Sequence, residues 1–122
     1  MIGIDLSSGV LNRAPVISLP SGLELPVVGL GTYALHGNTC INAVRTALEC
    51  GYRLIDTASM YGNEREVGEG VRASGVPREK VVVQTKLYPN QYGQAARAID
   101  ECLSKLDLGY IDILLLHHPA GN

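Results

Sequence analysis

Roughly every 30 residues this chain repeats one arrangement: a short apolar run that ends on a polar side chain, then a longer amphipathic stretch. Leu54-Ile55-Asp56, Val83-Gln84-Thr85-Lys86 and Leu114-Leu115-Leu116-His117 close three such runs; Asp56 and Lys86 stand 30 residues apart, Lys86 and His117 31. A strand with its crossover helix takes about that length, so the recurrence points to successive βα units on a parallel sheet. Equivalent positions of such units lie side by side at one end of the sheet. In a (β/α)8 barrel the C-terminal strand ends carry the active site, so these three polar groups are expected to meet there.

The rest of the chain can be laid out around that recurrence. Val16 to Leu19 and Leu23 to Leu25, separated by Pro20-Ser21-Gly22, read as a hairpin. A first strand is expected over Val27 to Leu30. A helix from about Asn38 to Cys50 follows, with Ile41, Val44 and Leu48 three and four apart and Gly51 to stop it. Tyr52 to Asp56 is the second strand, and Asn63 to Ala73 the second helix, closed by Gly75 and Pro77. Val81 to Lys86, a helix from Gln91 to Asp107 and a last strand from Tyr110 to His117 complete the reading.

Composition narrows what such a sheet does. A hydrophobic fraction of 46% is enough apolar matter for a core. A net charge of -2 with dispersed Lys and Arg excludes a basic stripe for nucleic acid or anionic lipid. The longest apolar stretch, Ile113 to Leu116, is far too short to cross a bilayer, and the start MIGIDLSSGV has no charged-then-apolar leader, so a cytoplasmic protein is expected. Cys40, Cys50 and Cys102 make an odd count without C-x-x-C spacing; they are expected as reduced, mostly buried thiols, with no metal site.

The polar strand ends have a chemistry in common. A carboxylate (Asp56), an ammonium (Lys86) and an imidazole (His117) beside a phenol form a proton-delivery set, and Tyr61, five residues after Asp56, supplies the phenol. A free tyrosine has a pKa of about 10 and donates poorly near neutrality unless a cation stabilises its phenolate. Lys86 is the candidate cation, with Asp56 holding it. Each residue also has an ordinary structural reading: Asp56 as a cap or turn residue, Lys86 as a solvated charge, Tyr61 as a packing group. His117 and His118 look like a metal pair, but adjacent strand residues point to opposite faces, which argues against a shared ion. The joint spacing of all four favours the catalytic reading.

These residues carry a resemblance. Asp56-Thr57-Ala58-Ser59-Met60-Tyr61-Gly62-Asn63-Glu64 resembles the aldo-keto reductase signature D-T-A-x-x-Y-G-N-E. Gly29-Leu30-Gly31-Thr32-Tyr33, Gln84-Thr85-Lys86-Leu87 and Leu115-Leu116-His117-His118-Pro119 extend it, as does the early hairpin, over about residues 16 to 122. The resemblance implies an enzyme that reduces aldehydes or ketones with hydride from NADPH, NADH being the alternative donor. It implies Tyr61 as general acid, Lys86 and Asp56 as its partners, and His117 as the group orienting the carbonyl. It places Gly31, Thr32 and Asp56 against the nicotinamide-ribose end of the cofactor. Tyr33, Met60, Tyr88, His117 and His118 become candidates for contact with a small-molecule carbonyl substrate. His118 and Tyr33 depart from the residues many members carry, which leaves the preferred carbonyl open.

A complete barrel takes about 250 residues, and this sequence has 122. The expectation is therefore an α/β chain of TIM-barrel type with about the first four βα units. Residues 1–14 are expected as an irregular segment and 15–122 as the N-terminal half of the barrel. Open strand edges and a bare inner face would then favour self-association. Two functions remain in play: the reductase, and a half-barrel module for binding or assembly without turnover. A hydrolase or isomerase would want paired carboxylates or a metal set at the strand ends, where only Asp56 stands.

Overall fold

In a computed structural model of the chain, residues 15–119 are described; the irregular segment expected over 1–14 lies outside them. A hairpin comes first. β1 (Val16–Ser18) and β2 (Glu24–Pro26) pair antiparallel with Ile17 opposite Leu25. Gly22, at φ +91°, makes the turn and donates its amide to the Leu19 carbonyl at 2.9 Å; glycine enters that region without a Cβ clash.

Four parallel strands follow, β3 (Leu30–Gly31), β4 (Leu54–Asp56), β5 (Val82–Leu87) and β6 (Ile113–Leu116), neighbours in space in their order along the chain. They are joined by α1 (Gly37–Glu49), α2 (Glu64–Ala73) and α3 (Ala95–Leu106). The expected βα succession is present. Register sets Gly31 beside Asp56, Asp56 beside Gln84, and Lys86 beside Leu115.

Strand alternation divides the sheet into two faces. Ile55 and Val83 point to the helices and form the core with Cys40, Val44 and Leu48 of α1, Val67 and Val71 of α2, and Leu106 of α3. Leu87 makes a second cluster with Ala98 and Cys102. The buried residues of α1 recur every fourth position, the stripe a surface helix turns inward. Asp56, Gln84 and Lys86 belong to neither of these helix-packed clusters and point to the other face. Cys40 and Cys102 are buried and Cys50 exposed, all three as free thiols. Among the described residues no helix is long and apolar enough to cross a membrane.

Several boundaries differ from the sequence reading, each for a local reason. Val27 donates its amide to the Pro15 carbonyl at 2.9 Å, prolonging the hairpin, so β3 starts only at Leu30. The Tyr52 amide goes to Ala47 and finishes α1, so β4 starts at Leu54. Asp112 spends a carboxylate oxygen on the Val83 amide (2.8 Å) and on Arg78 (2.8 Å), a side chain standing where ladder bonds were expected, and β6 shortens to four residues. The helix expected from Gln91 divides into a 3-10 segment, Pro89–Gln94, and α3. Its Pro-Asn-Gln-Tyr-Gly sequence holds a single good helix former, Gln91, and the Gln91 amide closes on the Tyr88 carbonyl three residues back.

Candidate active site

Ladder pairing between β4 and β5 brings Asp56 and Lys86 to the same end of the sheet. The ammonium of Lys86 donates to Asp56 Oδ1 at 2.6 Å and to the Thr57 carbonyl at 3.0 Å. Both side chains are largely covered, 15% exposed for Lys86 and 27% for Asp56, so the pair is less screened than a surface ion pair. Gln84, two residues before Lys86 on the same face, donates to the same oxygen at 2.7 Å. A carboxylate that accepts from an amide as well as an ammonium is fixed in direction.

Tyr61 comes to this pair from a 3-10 turn, Ser59–Tyr61, that follows β4. Gly62 ends the turn at φ +69°. Lys86 Nζ lies 5.1 Å from the centroid of the Tyr61 ring, within range of attraction between a cation and an aromatic face. His117 sits just past β6, its amide held by the Leu87 carbonyl at 2.8 Å. Its ring stands edge-on to Tyr61 with centroids 5.8 Å apart. All four residues singled out in the sequence are thus neighbours. Partial burial, then the charges of His118 and Lys86, hold the His117 imidazole below the ordinary histidine value, with Asp56 opposing. His117 Nδ1 is buried and has no hydrogen-bond partner.

The wall candidates surround this group unevenly. Tyr33 packs edge-on against Tyr61 at 5.3 Å and is 75% exposed. Tyr88 stands edge-on to both histidines, 5.6 Å from His117 and 5.5 Å from His118. Met60 is exposed on the Tyr61 turn. Gly31 is exposed at the end of β3, with open space where a Cβ would stand. Thr32 is different. It is fully buried, and both its amide (3.1 Å) and its hydroxyl (2.9 Å) donate to the Asp56 carbonyl, so its polar groups face protein.

The two histidines require a correction. Strand alternation was expected to send them to opposite faces, yet their rings stack at 4.9 Å with 29° between planes. β6 ends at Leu116, and the chain bends at both histidines, so the period of two no longer applies. Among the described residues no group of three or more His, Cys, Asp or Glu is placed to hold a metal ion.

Sequence reasoning missed the supports beneath this group. Asn63, fully buried, accepts from Thr57 Oγ1 at 2.6 Å and donates to the carbonyls of Thr32 (2.8 Å) and Leu35 (3.0 Å), tying the loop after β3 to the turn after β4. Glu64, 2% exposed, accepts from Thr85 Oγ1 at 2.7 Å. Both lie in the quoted signature, which was the available signal. Gln84 stands in the quoted Gln84-Thr85-Lys86-Leu87 segment, which was its signal.

The chain matches the aldo/keto reductase family over residues 27–122. It is 47% identical over 110 residues to morphine 6-dehydrogenase of Pseudomonas putida, covering 88% of this chain and 37% of that protein. It is 46% identical over 105 residues to glycerol 2-dehydrogenase (NADP(+)) of Saccharomyces cerevisiae, covering 86% of this chain and 34% of that one. The chain therefore spans little more than a third of the length of these curated relatives. An aldo-keto reductase from a Medee basin deep-sea metagenome library superposes with a TM-score of 0.81 at 43% identity, over 88% of this chain and 40% of that one. The Bombyx mori aldo-keto reductase solved in complex with NADP gives 0.79 at 41% identity, over 88% and 39%. The parallel sheet with its helices is thus part of a TIM barrel of that type. With the family match running through β3 to β6 and relatives above 40% identity on both comparisons, this chain belongs to the aldo/keto reductase family.

Proposed function

We propose that this chain carries the proton-delivering face of a reductase that converts aldehydes or ketones to alcohols, with NADPH as hydride donor and NADH as the alternative. The observation that carries the reading is the meeting of Asp56, Tyr61, Lys86 and His117 at one end of one sheet. The NADP(+) in the yeast relative's name and the NADP in the silkworm structure support the choice of cofactor.

The residues here fit a reduced nicotinamide. Gly31 leaves a bare patch that any Cβ would fill, and His117 Nδ1 is a buried polar atom lacking a partner. Gly31 and Asp56 would hold the nicotinamide-ribose end, and Thr32 contributes by fixing the Asp56 backbone. Once bound, such a cofactor supplies a hydride to the carbonyl carbon. His117 orients the carbonyl oxygen by hydrogen bonding, its depressed pKa keeping the imidazole neutral near pH 7. Tyr61 gives its hydroxyl proton to that oxygen as the alcohol forms. Lys86 stabilises the phenolate left behind, Asp56 keeps the ammonium in place, and water returns the proton. Tyr33, Met60, Tyr88 and His118 form the wall that receives the substrate.

General acid catalysis contributes about 10²–10⁴-fold, so Tyr61→Phe should lower the steady-state rate of aldehyde reduction by that factor. Its NADPH dissociation constant should stay near the wild-type value, because the hydroxyl acts on substrate. Lys86→Met should lower the rate as well. Wild-type turnover by Tyr61→Phe would remove Tyr61 from the role.

A second reading, a module for binding or assembly without turnover, is favoured by the open apolar rim at β6, where Leu115 is 43% and Leu116 61% exposed. Fluorescence titration with NADPH separates the two. Micromolar binding supports the reductase; no binding at millimolar cofactor supports the module.

A further inference from the structure

We infer that the 3-10 segment Pro89–Gln94 sets the spacing between Tyr61 and His117, with Gln91 and Tyr92 as positioning residues. This inference rests on the reductase reading for its consequence in catalysis, but not for its geometry. Asp56 and Lys86 lie within strands and take their places from ladder bonds. Tyr61 does not. Its amide goes only to the Ala58 carbonyl at 3.0 Å, inside its own turn. His117 keeps one ladder-like bond, to Leu87, and beyond it the chain has left the sheet.

Two consecutive residues of the 3-10 segment hold these two outlying pieces. Gln91 Oε1 accepts from Ser59 Oγ at 2.6 Å, gripping the first residue of the Tyr61 turn, and from the Tyr88 amide at 2.8 Å, which anchors the grip to the end of β5. The Tyr92 hydroxyl takes both polar groups of the His118 backbone. It accepts from the amide at 3.1 Å and donates to the carbonyl through a short bond. The Tyr92 ring packs on the Leu87, Ala98 and Cys102 cluster, so the hydroxyl is held from a solid base. His118 in turn stacks on His117. The segment thus works as a crossbar: one end fixes the phenol's turn, the other the backbone that carries the imidazoles.

Among the described residues the Ser59–Gln91 bond is the side-chain hydrogen bond that joins the Tyr61 turn to the region beyond β5. A reactive pair needs spacing held within a fraction of an ångström, and a misplacement of about 1 Å costs about 10²-fold in rate. Loss of a single hydrogen bond is, by contrast, a small change to overall stability. Those unequal sensitivities make the inference testable.

The variants are Tyr92→Phe, Gln91→Leu and, as the rescue, Gln91→Glu, which keeps an acceptor oxygen for Ser59 and Tyr88. In the full chain, Tyr92→Phe and Gln91→Leu are each expected to lower kcat for a small aldehyde about 10-fold or more, with KM for NADPH unchanged and the thermal midpoint moved little. Gln91→Glu is expected to recover most of the loss. Two NMR readouts need no turnover: contacts between the Tyr61 and His117 rings, and the titration midpoint of His117. Facing that imidazole are Tyr61, Lys86, Asp56, Tyr88 and His118. In Gln91→Leu the Tyr61–His117 ring contacts should weaken. In Tyr92→Phe the stack loosens, and the His117 midpoint should rise toward the ordinary histidine value. If wild type shows no turnover, the reductase reading fails, and the NMR pair still decides the crossbar. Wild-type ring contacts in Gln91→Leu together with an unmoved His117 midpoint in Tyr92→Phe would overturn it.

Discussion

His117 links the local chemistry to a pH dependence that does not require catalysis. Its pKa in the folded chain lies below the ordinary 6.5, mainly through burial and then through His118 and Lys86. Below 6.5 the unfolded chain therefore binds this proton more readily than the folded one, and folding loses stability as pH falls from 6.5 through the lower folded value. The thermal midpoint of wild type should drop more steeply between pH 7.5 and 5.5 than that of His117→Gln, by differential scanning fluorimetry; parallel curves would contradict the assigned direction. Asp56, Lys86 and His117 were legible in the sequence because a strand end is a position along the chain, and a spacing of 30 and 31 residues repeats it. Tyr61 was legible from its motif. The bonds that Gln84, Asn63 and Thr32 make across 24 to 31 residues were not, since packing chooses those partners. The stacking of His117 on His118 was read wrongly, because the strand's end had been placed one residue late.

Helix α2 shows how closely these units are pressed together. A Cβ on Gly68 would stand 1.9 Å from the Leu106 carbonyl oxygen of α3, and one on Gly70 would stand 2.7 Å from Val44 Cβ of α1. The two glycines therefore seat α2 between its neighbours. Alanine for a mid-helix glycine gains about 1 kcal/mol of helix propensity. Overpacking typically costs about 1–3 kcal/mol and more where the obstacle is backbone, so the clash should win. Gly68→Ala is expected to lower stability by about 1–2 kcal/mol net, read by urea denaturation; a midpoint equal to or above wild type would show that α3 can move aside at no cost. The existence and order of α1, α2 and α3 followed from apolar periodicity, which the core preserves. Strand starts did not, because side chains such as Asp112 and Arg78 take over backbone bonds ahead of β6 that periodicity cannot see.

Taken together, the sheet packs the three α-helices against the face of Ile55 and Val83, and its last strand exposes Leu114, Leu115 and Leu116 at 37%, 43% and 61%. An apolar edge of that kind pairs readily with another chain. Light scattering on the 122-residue chain is expected to give a mass above the 13.0 kDa monomer, with Leu115→Lys shifting it down; a monodisperse monomer at micromolar concentration would count against it. Lys86 and Asp56 project from the sheet's second face yet are only 15% and 27% exposed, so the chain shields them in part and whatever lies over the face sets the rest. Two unit charges about 4 Å apart interact by about 1 kcal/mol in water and about 4 kcal/mol at an effective dielectric of 20. The same side chains at the same distances therefore form a weak electrostatic device when wet and a strong one when roofed. Covering that face would tune the site by insulation alone, without moving an atom of it.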